Sequence, residues 1–143
     1  MLLCLTLGTL PTWASLGQSE ASVTADQQRM KSEDRVQSLQ AYKVHQLTSA
    51  NGTTVREYVS PQGLVFGITW QGRFMPDMNQ LLDTYVNNLQ TAPPARTQIR
   101  HLRGLSVNTS DFVYSNFCTM QICKGSAYVP GLVPSDASVK VMR

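Results

Sequence analysis

The chain has 143 residues, of which 42% are hydrophobic and 15% are charged, and its formal net charge is +3. The high hydrophobic fraction and small net charge exclude a disordered chain, and the length suits one hydrophobic core rather than a large multi-domain enzyme. After the first ten residues no apolar run approaches the ~20 residues of a transmembrane helix, so the body of the chain is not an integral membrane domain.

The N-terminus has the pattern of a secretory signal. Residues 1–10 are apolar and uncharged, a proline follows, and small residues stand at Thr12 and Ala14. An apolar stretch, a helix breaker and a small-x-small site are typical of a signal peptide and its cleavage position. The alternative is a buried first strand or helix. We predict a signal peptide over residues 1–14, cleaved near Ala14, and a single domain over residues 15–143 that is periplasmic or secreted.

The first half of this domain is predicted to form a short helix and a three-stranded antiparallel meander. Thr24 and Gln27 have the spacing of a capping box, which indicates a short surface helix over Thr24–Lys31. Asn51-Gly52 is a strong hairpin signal because a type I′ turn needs positive φ at both positions. With a second turn at Pro61-Gln62-Gly63, the three predicted strands are Tyr42–Ser49, Thr53–Ser60 and Leu64–Trp70.

The turns set the register of this meander. A two-residue turn at Asn51-Gly52 predicts three opposed pairs, which are Val44 with Val59, Thr48 with Val55, and His45 with Tyr58 on the other face. Two registers stay open for the second turn. The apolar alternation favours a two-residue turn, with Val55 and Val59 on the face of Ile68 and Leu64. The Pro-x-Gly sequence favours a three-residue turn with Gly63 in a bulge, which shifts the register by one.

An amphipathic helix is predicted after the meander, from Met78 to Leu89. Asp77 can cap it, and Gln80 stands three residues on, as in a capping box. The apolar positions recur at helical spacing along one stripe and are predicted to cover the apolar face of the sheet; they are Met78, Leu81, Leu82, Tyr85, Val86 and Leu89.

A basic cluster follows this helix. Residues 92–96 are predicted to be a linker, and Ile99–Val107 is ambiguous between strand and irregular structure. Without Arg96, Arg100 and Arg103 the remaining charges cancel, so these arginines, next to His101, account for the net charge. The cluster could meet phosphate, lipid head groups or an acidic partner, and the alternative is a solvated loop.

Two cysteines close the last predicted hairpin. Loss of the signal peptide removes Cys4 and leaves Cys118 and Cys123, an even number for an oxidising compartment. A hairpin that pairs them places Tyr114 opposite Ala127 and Phe112 opposite Val129, which gives one apolar face. We predict a structural disulfide. Free thiols, a redox pair or half of a metal site are the alternatives, and the C-x4-C spacing and isolated histidines weaken the last two.

The order of elements predicts an α+β fold. An antiparallel sheet, made of the three-stranded meander and the C-terminal hairpin, packs against the amphipathic helix, and a short helix precedes it.

Several segments resemble one bacterial family of exported proteins of unknown function, DUF2844. The most specific are Val55-Arg56-Glu57-Tyr58-Val59-Ser60-Pro61 and Trp70-Gln71-Gly72, and the others are Ala14-Ser15-Leu16-Gly17, Asn51-Gly52-Thr53, Val65-Phe66-Gly67, Pro76-Asp77, Gln80-Leu81-Leu82 and Ala127-Tyr128-Val129-Pro130. The resemblance covers nearly the whole chain after the signal peptide. It implies export in a Gram-negative bacterium and a small single domain, and it implies no activity.

No catalytic motif stands out, and no catalytic residue, metal ligand or cofactor is predicted. The chain lacks the G-x-S-x-G, phosphate-loop and H-E-x-x-H patterns, and adjacent Arg56 and Glu57 point to opposite faces of their strand. The alternative function is a small periplasmic hydrolase or thiol enzyme that uses His45, Glu57 or the cysteines. A concave pocket in which His45, Glu57 and Tyr58 converge would support it.

The favoured function is a non-catalytic binding or envelope-accessory module. It would bind an envelope protein or glycan, and no nucleic acid, through a sheet face or the loop Trp70–Pro76. The candidate contact residues are Trp70, Phe74, Arg96, Arg100 and Arg103. For the aromatic residues of this loop, the alternative is that they fill the gap between the third strand and the helix.

Overall fold

The computed structural model describes residues 16–91, 95–99 and 102–142, with backbone alone for 95–99 and 102. The predicted signal peptide and Arg100 lie outside the described residues. The helices are α1 (Ala21–Met30), α2 (Met78–Leu82) and α3 (Val86–Thr91), and 3-10 turns lie at Asp83–Tyr85, Pro130–Leu132 and Val139–Met142. The strands are β1 (Glu33–Ser38), β2 (Lys43–Thr48), β3 (Thr54–Val59), β4 (Val65–Gly72), β5 (Ala95–Ile99), β6 (Leu102–Asn108), β7 (Val113–Cys118) and β8 (Cys123–Tyr128).

Within the described residues, all eight strands join one antiparallel sheet in the order β1-β2-β3-β4-β8-β7-β6-β5. The sheet is therefore two four-stranded meanders that meet where β4 pairs with β8. The helices α2 and α3 lie in the chain between the two meanders. The predicted α+β class is confirmed, and the sheet is larger than the predicted meander and hairpin.

The additional strands are short and polar. β1 has the sequence EDRVQS and is almost wholly exposed, and β5 has the sequence ARTQI and occupies the other edge of the sheet. An edge strand needs only backbone pairing on one side, so no apolar alternation marks it. Of the predicted linker over residues 92–96, residues 92–94 lie outside the described residues, and the prediction is wrong for residues 95 and 96, which belong to β5. The ambiguous segment Ile99–Val107 contributes most of β6.

The first hairpin has a three-residue loop, so its predicted register is wrong by one residue. The N–H of Gly52 donates to the carbonyl of Ser49, and Gly52 alone in this turn has a positive φ, of 84°. This is a type I turn closed by a left-handed glycine rather than a type I′ turn. Consequently Val44 lies opposite Tyr58, and His45 lies opposite Glu57.

The second turn satisfies both sequence signals at once. Its loop has three residues, with Gly63 at φ 76°, as the Pro-x-Gly sequence favours. A β-bulge between Tyr58 and Val59 then adds a second shift. The three-residue loop and the bulge each shift the pairing by one residue, and the two shifts cancel. Val55 and Val59 therefore share a face with Ile68, as the apolar alternation favours.

The predicted helix over Met78–Leu89 is interrupted. Asp77 caps α2 as predicted, because its side chain accepts from the N–H groups of Asn79 and Gln80. At Asp83 the backbone adopts φ 45° and ψ −115°, which ends α2, and α3 starts again at Val86. The predicted apolar stripe nevertheless packs against the core along its whole length.

The helix α1 begins three residues earlier than the capping-box spacing indicates. The segment before it pairs with the start of β4, where the N–H of Glu20 donates to the carbonyl of Gly63. This pairing fixes the helix start, and Val23 is buried in the core. Tertiary contacts therefore override the local signal at Thr24.

The core lies on one face of the sheet, here called the helix face. Buried side chains of the N-terminal segment and the helices pack there against strand residues; they are Leu16, Val23, Leu81 and Leu82 against Leu47, Val55, Ile68, Trp70, Tyr114 and Ala127. A second, smaller cluster of Val44, Tyr58, Phe66 and Met142 lies on the opposite face, under the C-terminal segment, which is residues 129–142. The rest of that opposite face, here called the open face, carries the candidate site.

Candidate binding groove on the open face

A groove with a volume of about 630 Å³ runs over β3, β4, β8 and β7 on the open face. Its size lies within the range of roughly 300–1,000 Å³ that is usual for small-ligand sites. The alternation of side chains along each strand positions it, because every second residue of these four strands points into the groove.

The strand register arranges the groove floor in three rows. Residues opposed on neighbouring strands share a face, so each row takes one residue from each strand. The apolar row is Tyr58, Gly67, Tyr128 and Val113, the hydroxyl row is Arg56, Thr69, Ser126 and Ser115, and the lysine row is Thr54, Gln71, Lys124 and Phe117.

The C-terminal segment forms one wall of the groove. Val141 and Met142 line it, and the hydroxyl of Tyr58 donates to the carbonyl of Val141 at 3.4 Å. A side chain at Gly67 would collide with the sulfur of Met142, so this glycine lets the segment lie directly on β4. The wall covers the apolar row and leaves the hydroxyl row accessible.

The groove is positively charged. Arg56 and Lys124 line it, and Arg73 lines an adjoining cleft of about 300 Å³. No aspartate or glutamate is among the described residues that line either cavity. Arg56 donates to the side chain of Gln46 at 3.0 Å, and neither Arg56 nor Lys124 forms an ion pair with a described residue.

A second polar cluster lies on the helix face. Asp26 of α1 and Glu57 of β3 are fully buried in contact with each other, and the side-chain amide of Gln80 donates to Asp26. Desolvation raises the pKa of Asp26 to about 6 and raises the pKa of Glu57 well above its usual value. This pair lies on the side of the sheet away from the groove.

His45 belongs to the helix-face cluster. Its ring nitrogens face Asp34 Oδ2 at 2.9 Å and Glu20 Oε1 at 3.1 Å, and Lys43 donates to Glu20 at 3.0 Å. The hydrogen bond to His45 is the main cause that lowers the pKa of Glu20, and the hydrogen bond from Lys43 is the second.

The geometry named for the hydrolase alternative does not occur. Tyr58 lies on the open face, whereas His45 and Glu57 lie on the helix face, so the three side chains do not converge. Cys118 and Cys123 are joined in a disulfide, with an S–S distance of 2.08 Å. The predicted disulfide is thus present in the structure, and the predicted pair Tyr114–Ala127 is confirmed.

Among the described residues no group of three or more His, Cys, Asp or Glu side chains is arranged to hold a metal ion. No helix in this part of the chain is both long and apolar enough to cross a membrane.

Of the residues predicted from sequence as contacts, Trp70 borders the groove but belongs to the core of the helix face, and Phe74 and Arg103 do not line the groove. Trp70 is a core residue with 2% exposure, its indole N–H donates to Asn116 at 3.3 Å, and it therefore fills the core as the alternative describes. Phe74 is exposed in the loop after β4. Arg103 is exposed and lies opposite Cys118, on the helix face. Arg96 is on β5, opposite Leu105 of β6.

Sequence reasoning missed the groove cations and the hydroxyl row. The β7–β8 register follows from the cysteine pair, and it already places Phe117 opposite Lys124 and Ser115 opposite Ser126. The missing information was the pairing of β8 with β4, which brings Arg56 and Thr69 alongside. That contact joins segments far apart in the chain, and no local signal encodes it.

Comparison with known proteins identifies one family. No curated protein and no solved structure is significantly similar to the chain. The sequence model described as "Protein of unknown function (DUF2844)" matches residues 12–142. This match covers most of the chain and agrees with the resemblance seen in the sequence. The chain therefore belongs to the DUF2844 family.

Proposed function

We propose that the protein is an exported, non-catalytic binding module that serves the cell envelope and takes its ligand in the groove on the open face. The observation that carries this proposal is a groove of ligand-binding size that is lined by Arg56 and Lys124 and by no described acidic residue. Uncompensated cations in a concave surface attract an anionic ligand and contribute specificity when they are partly desolvated.

Two features support the exported location. The first is the signal-peptide pattern of residues 1–14 in the sequence. The second is the disulfide between Cys118 and Cys123, since such bonds persist in oxidising compartments such as the periplasm.

The binding proposal is tested by NMR. The ¹⁵N-labelled protein is titrated with soluble peptidoglycan fragments, lipopolysaccharide-derived oligosaccharide and acidic peptides, and amide shifts are mapped onto the sheet. We expect the shifts to cluster on β3, β4, β7 and β8. Arg56→Glu should abolish the amide shifts. Arg103 is an exposed arginine on the helix face, so Arg103→Glu should leave the shifts unchanged.

The opposite results would refute the proposal. Shifts that follow Arg103 and not Arg56 would transfer the site to the basic cluster, and turnover of any probe would replace binding by catalysis. Export is tested separately by fractionation and intact-mass analysis: we expect a periplasmic or secreted product that begins near Ser15. A cytosolic product with Met1 attached would contradict it.

A further inference from the structure

The hydroxyl row offers hydrogen bonds that the protein does not use. The side-chain hydroxyls of Thr69, Ser115 and Ser126 form no hydrogen bond with any described residue. An acyl chain that covered these three hydroxyls would remove the hydrogen bonds that they make to water and would offer no new ones. The row therefore favours a ligand that is itself rich in hydrogen-bonding groups.

The row is also extended rather than compact. It crosses four neighbouring strands at a spacing of about 4.8 Å, so its polar groups recur at a regular interval. Beyond Arg56 the same row continues through Gln46 on β2 to Arg35 on β1. A linear ligand with a repeating set of polar groups fits such a row better than a single compact group does.

The flanking rows supply charge and an apolar surface. Lys124 lies diagonally across from Arg56, and neither cation has an acidic partner among the described residues. Phe117 is 39% exposed beside Lys124, whereas Tyr128 lies on the apolar row, with the hydroxyl row between the two aromatic side chains. Exposed aromatic side chains provide rigid surfaces on which the apolar face of a sugar ring can pack.

We propose that the groove binds an acidic saccharide, a glycan segment whose sugars carry carboxylate or phosphate groups. The sugar hydroxyls lie on the hydroxyl row, and the acidic groups lie against Arg56 and Lys124. A charge-assisted hydrogen bond from a guanidinium or ammonium group holds such an acid more strongly than a neutral hydroxyl does. This inference rests on the proposed function and adds the class of ligand.

The experiment compares three probes by NMR titration: trigalacturonate as an acidic saccharide, maltotriose as a neutral one and decanoate as an acyl carboxylate. We expect trigalacturonate to shift the groove amides and to bind at least tenfold more tightly than maltotriose. Arg56→Gln and Lys124→Gln should each weaken trigalacturonate by about tenfold, and Ser126→Ala should weaken it by roughly fivefold. Arg103→Gln is the matched control and should have no effect.

Each contrary result separates the two proposals. Decanoate shifting the groove while trigalacturonate does not would overturn the saccharide and leave the groove as a binding site. Equal affinity for maltotriose, or affinity unchanged in both Gln variants, would overturn the role of the acidic groups. If about 10 mM trigalacturonate shifts no groove amide, the saccharide proposal is also overturned. If the peptidoglycan, lipopolysaccharide and peptide probes also shift no groove amide, the proposed binding function is overturned as well.

Discussion

The buried carboxyl groups of Asp26 and Glu57 lie together and have raised pKa values. Two adjacent carboxylates cannot both stay ionised away from water, because desolvation and mutual repulsion disfavour the charged forms. Burial is the main cause of the raised pKa of Glu57, and the charges of Asp26 and Asp34 add to it. Glu57 thus keeps its proton beside Asp26, while Gln80 donates to Asp26 and Arg29 favours the Asp26 charge.

This pair predicts a stability that falls as pH rises. A raised pKa in the folded state stabilises the fold below the unfolded pKa, and that stabilisation is lost as pH rises through the folded value. For Asp26 the window runs from about 3.8 to about 6, and for Glu57 it starts at about 4.5 and extends higher. Glu20, whose pKa is lowered, acts in the opposite sense below its usual value of 4.5, so measurements above pH 5 avoid it.

Glu57→Gln should remove much of this dependence. Glutamine keeps the shape of the side chain and can donate to Asp26 without ionising, so we expect the variant to be about 1–3 kcal/mol more stable than the native protein at pH 8. Urea unfolding at pH 5, 6.5 and 8 measures the effect. Glu33→Gln, at an exposed position of β1, is the control. Parallel pH profiles for the native protein and Glu57→Gln would contradict a protonated Glu57 in the folded protein.

Lys31 ends α1 in a conformation that favours glycine. Its backbone has φ 47° and ψ 46°, and its N–H donates to the carbonyls of Gln27 and Gln28. A side chain at a left-handed C-terminal position adds strain that glycine avoids. We expect Lys31→Gly to raise stability by about 0.5–1 kcal/mol in thermal unfolding. Lys31→Ala keeps the Cβ atom and should show no gain, so an equal gain in both variants would refute the backbone explanation.

At the scale of elements, the disulfide closes the β7–β8 hairpin beside the groove. Cys118 and Cys123 are opposed, with Cα atoms 4.1 Å apart, and they precede and follow the short turn. Because the closed loop is small, the bond should contribute only about 2 kcal/mol by constraining the unfolded chain. The double variant Cys118→Ser/Cys123→Ser should fold and lose this amount in urea unfolding. The native protein in reductant should lose the same amount, and no loss in either case would contradict the assignment.

The difference between predicted and observed elements has a local and a long-range cause. Asp77, the apolar stripe after it and the cysteine hairpin were predictable because each rests on contacts within a short segment. The first hairpin failed because Asn51-Gly52 fits two turn types, and only Gly52 takes a positive φ here. β1 and β5 gave no signal because edge pairing uses the backbone, which any sequence can supply.

The candidate site was harder to predict than the elements. Alternation correctly separates Arg56 from Glu57, so the sequence shows that one of them faces away from the core. It does not show which other strands lie beside Arg56. The groove exists only because β4 pairs with β8 and because Met142, far along the chain, packs on Gly67.

At the scale of the molecule, the buried carboxyl groups and the groove cations lie on opposite faces of the sheet. Asp26, Asp34 and Glu57 lie on the helix face, where α1 covers them, while Arg56 and Lys124 lie on the open face. An acidic ligand on the open face is therefore separated from this acidic cluster by the thickness of the sheet. The net charge does not reveal this arrangement, which is a property of the fold and not of the composition.

The C-terminal segment connects stability to the shape of the groove. Met142 is 1% exposed and packs with Val44, Tyr58 and Phe66, whereas the neighbouring Val141 is 47% exposed. Met142→Ala should therefore lower stability by about 2–4 kcal/mol in urea unfolding, because it leaves a cavity between the segment and β4. Val141→Ala should change stability by less than about 0.5 kcal/mol.

These two variants separate a packed wall from a loosely attached one. If Met142 anchors the segment, its loss should also increase hydrogen exchange at the backbone amides of the 3-10 turn Val139–Met142, while exchange in β2 stays slow. Equal stability losses for Met142→Ala and Val141→Ala would mean that the segment does not pack as described. The apolar row would then be open to solvent, and the groove would have one wall fewer with which to exclude water from Tyr58 and Tyr128.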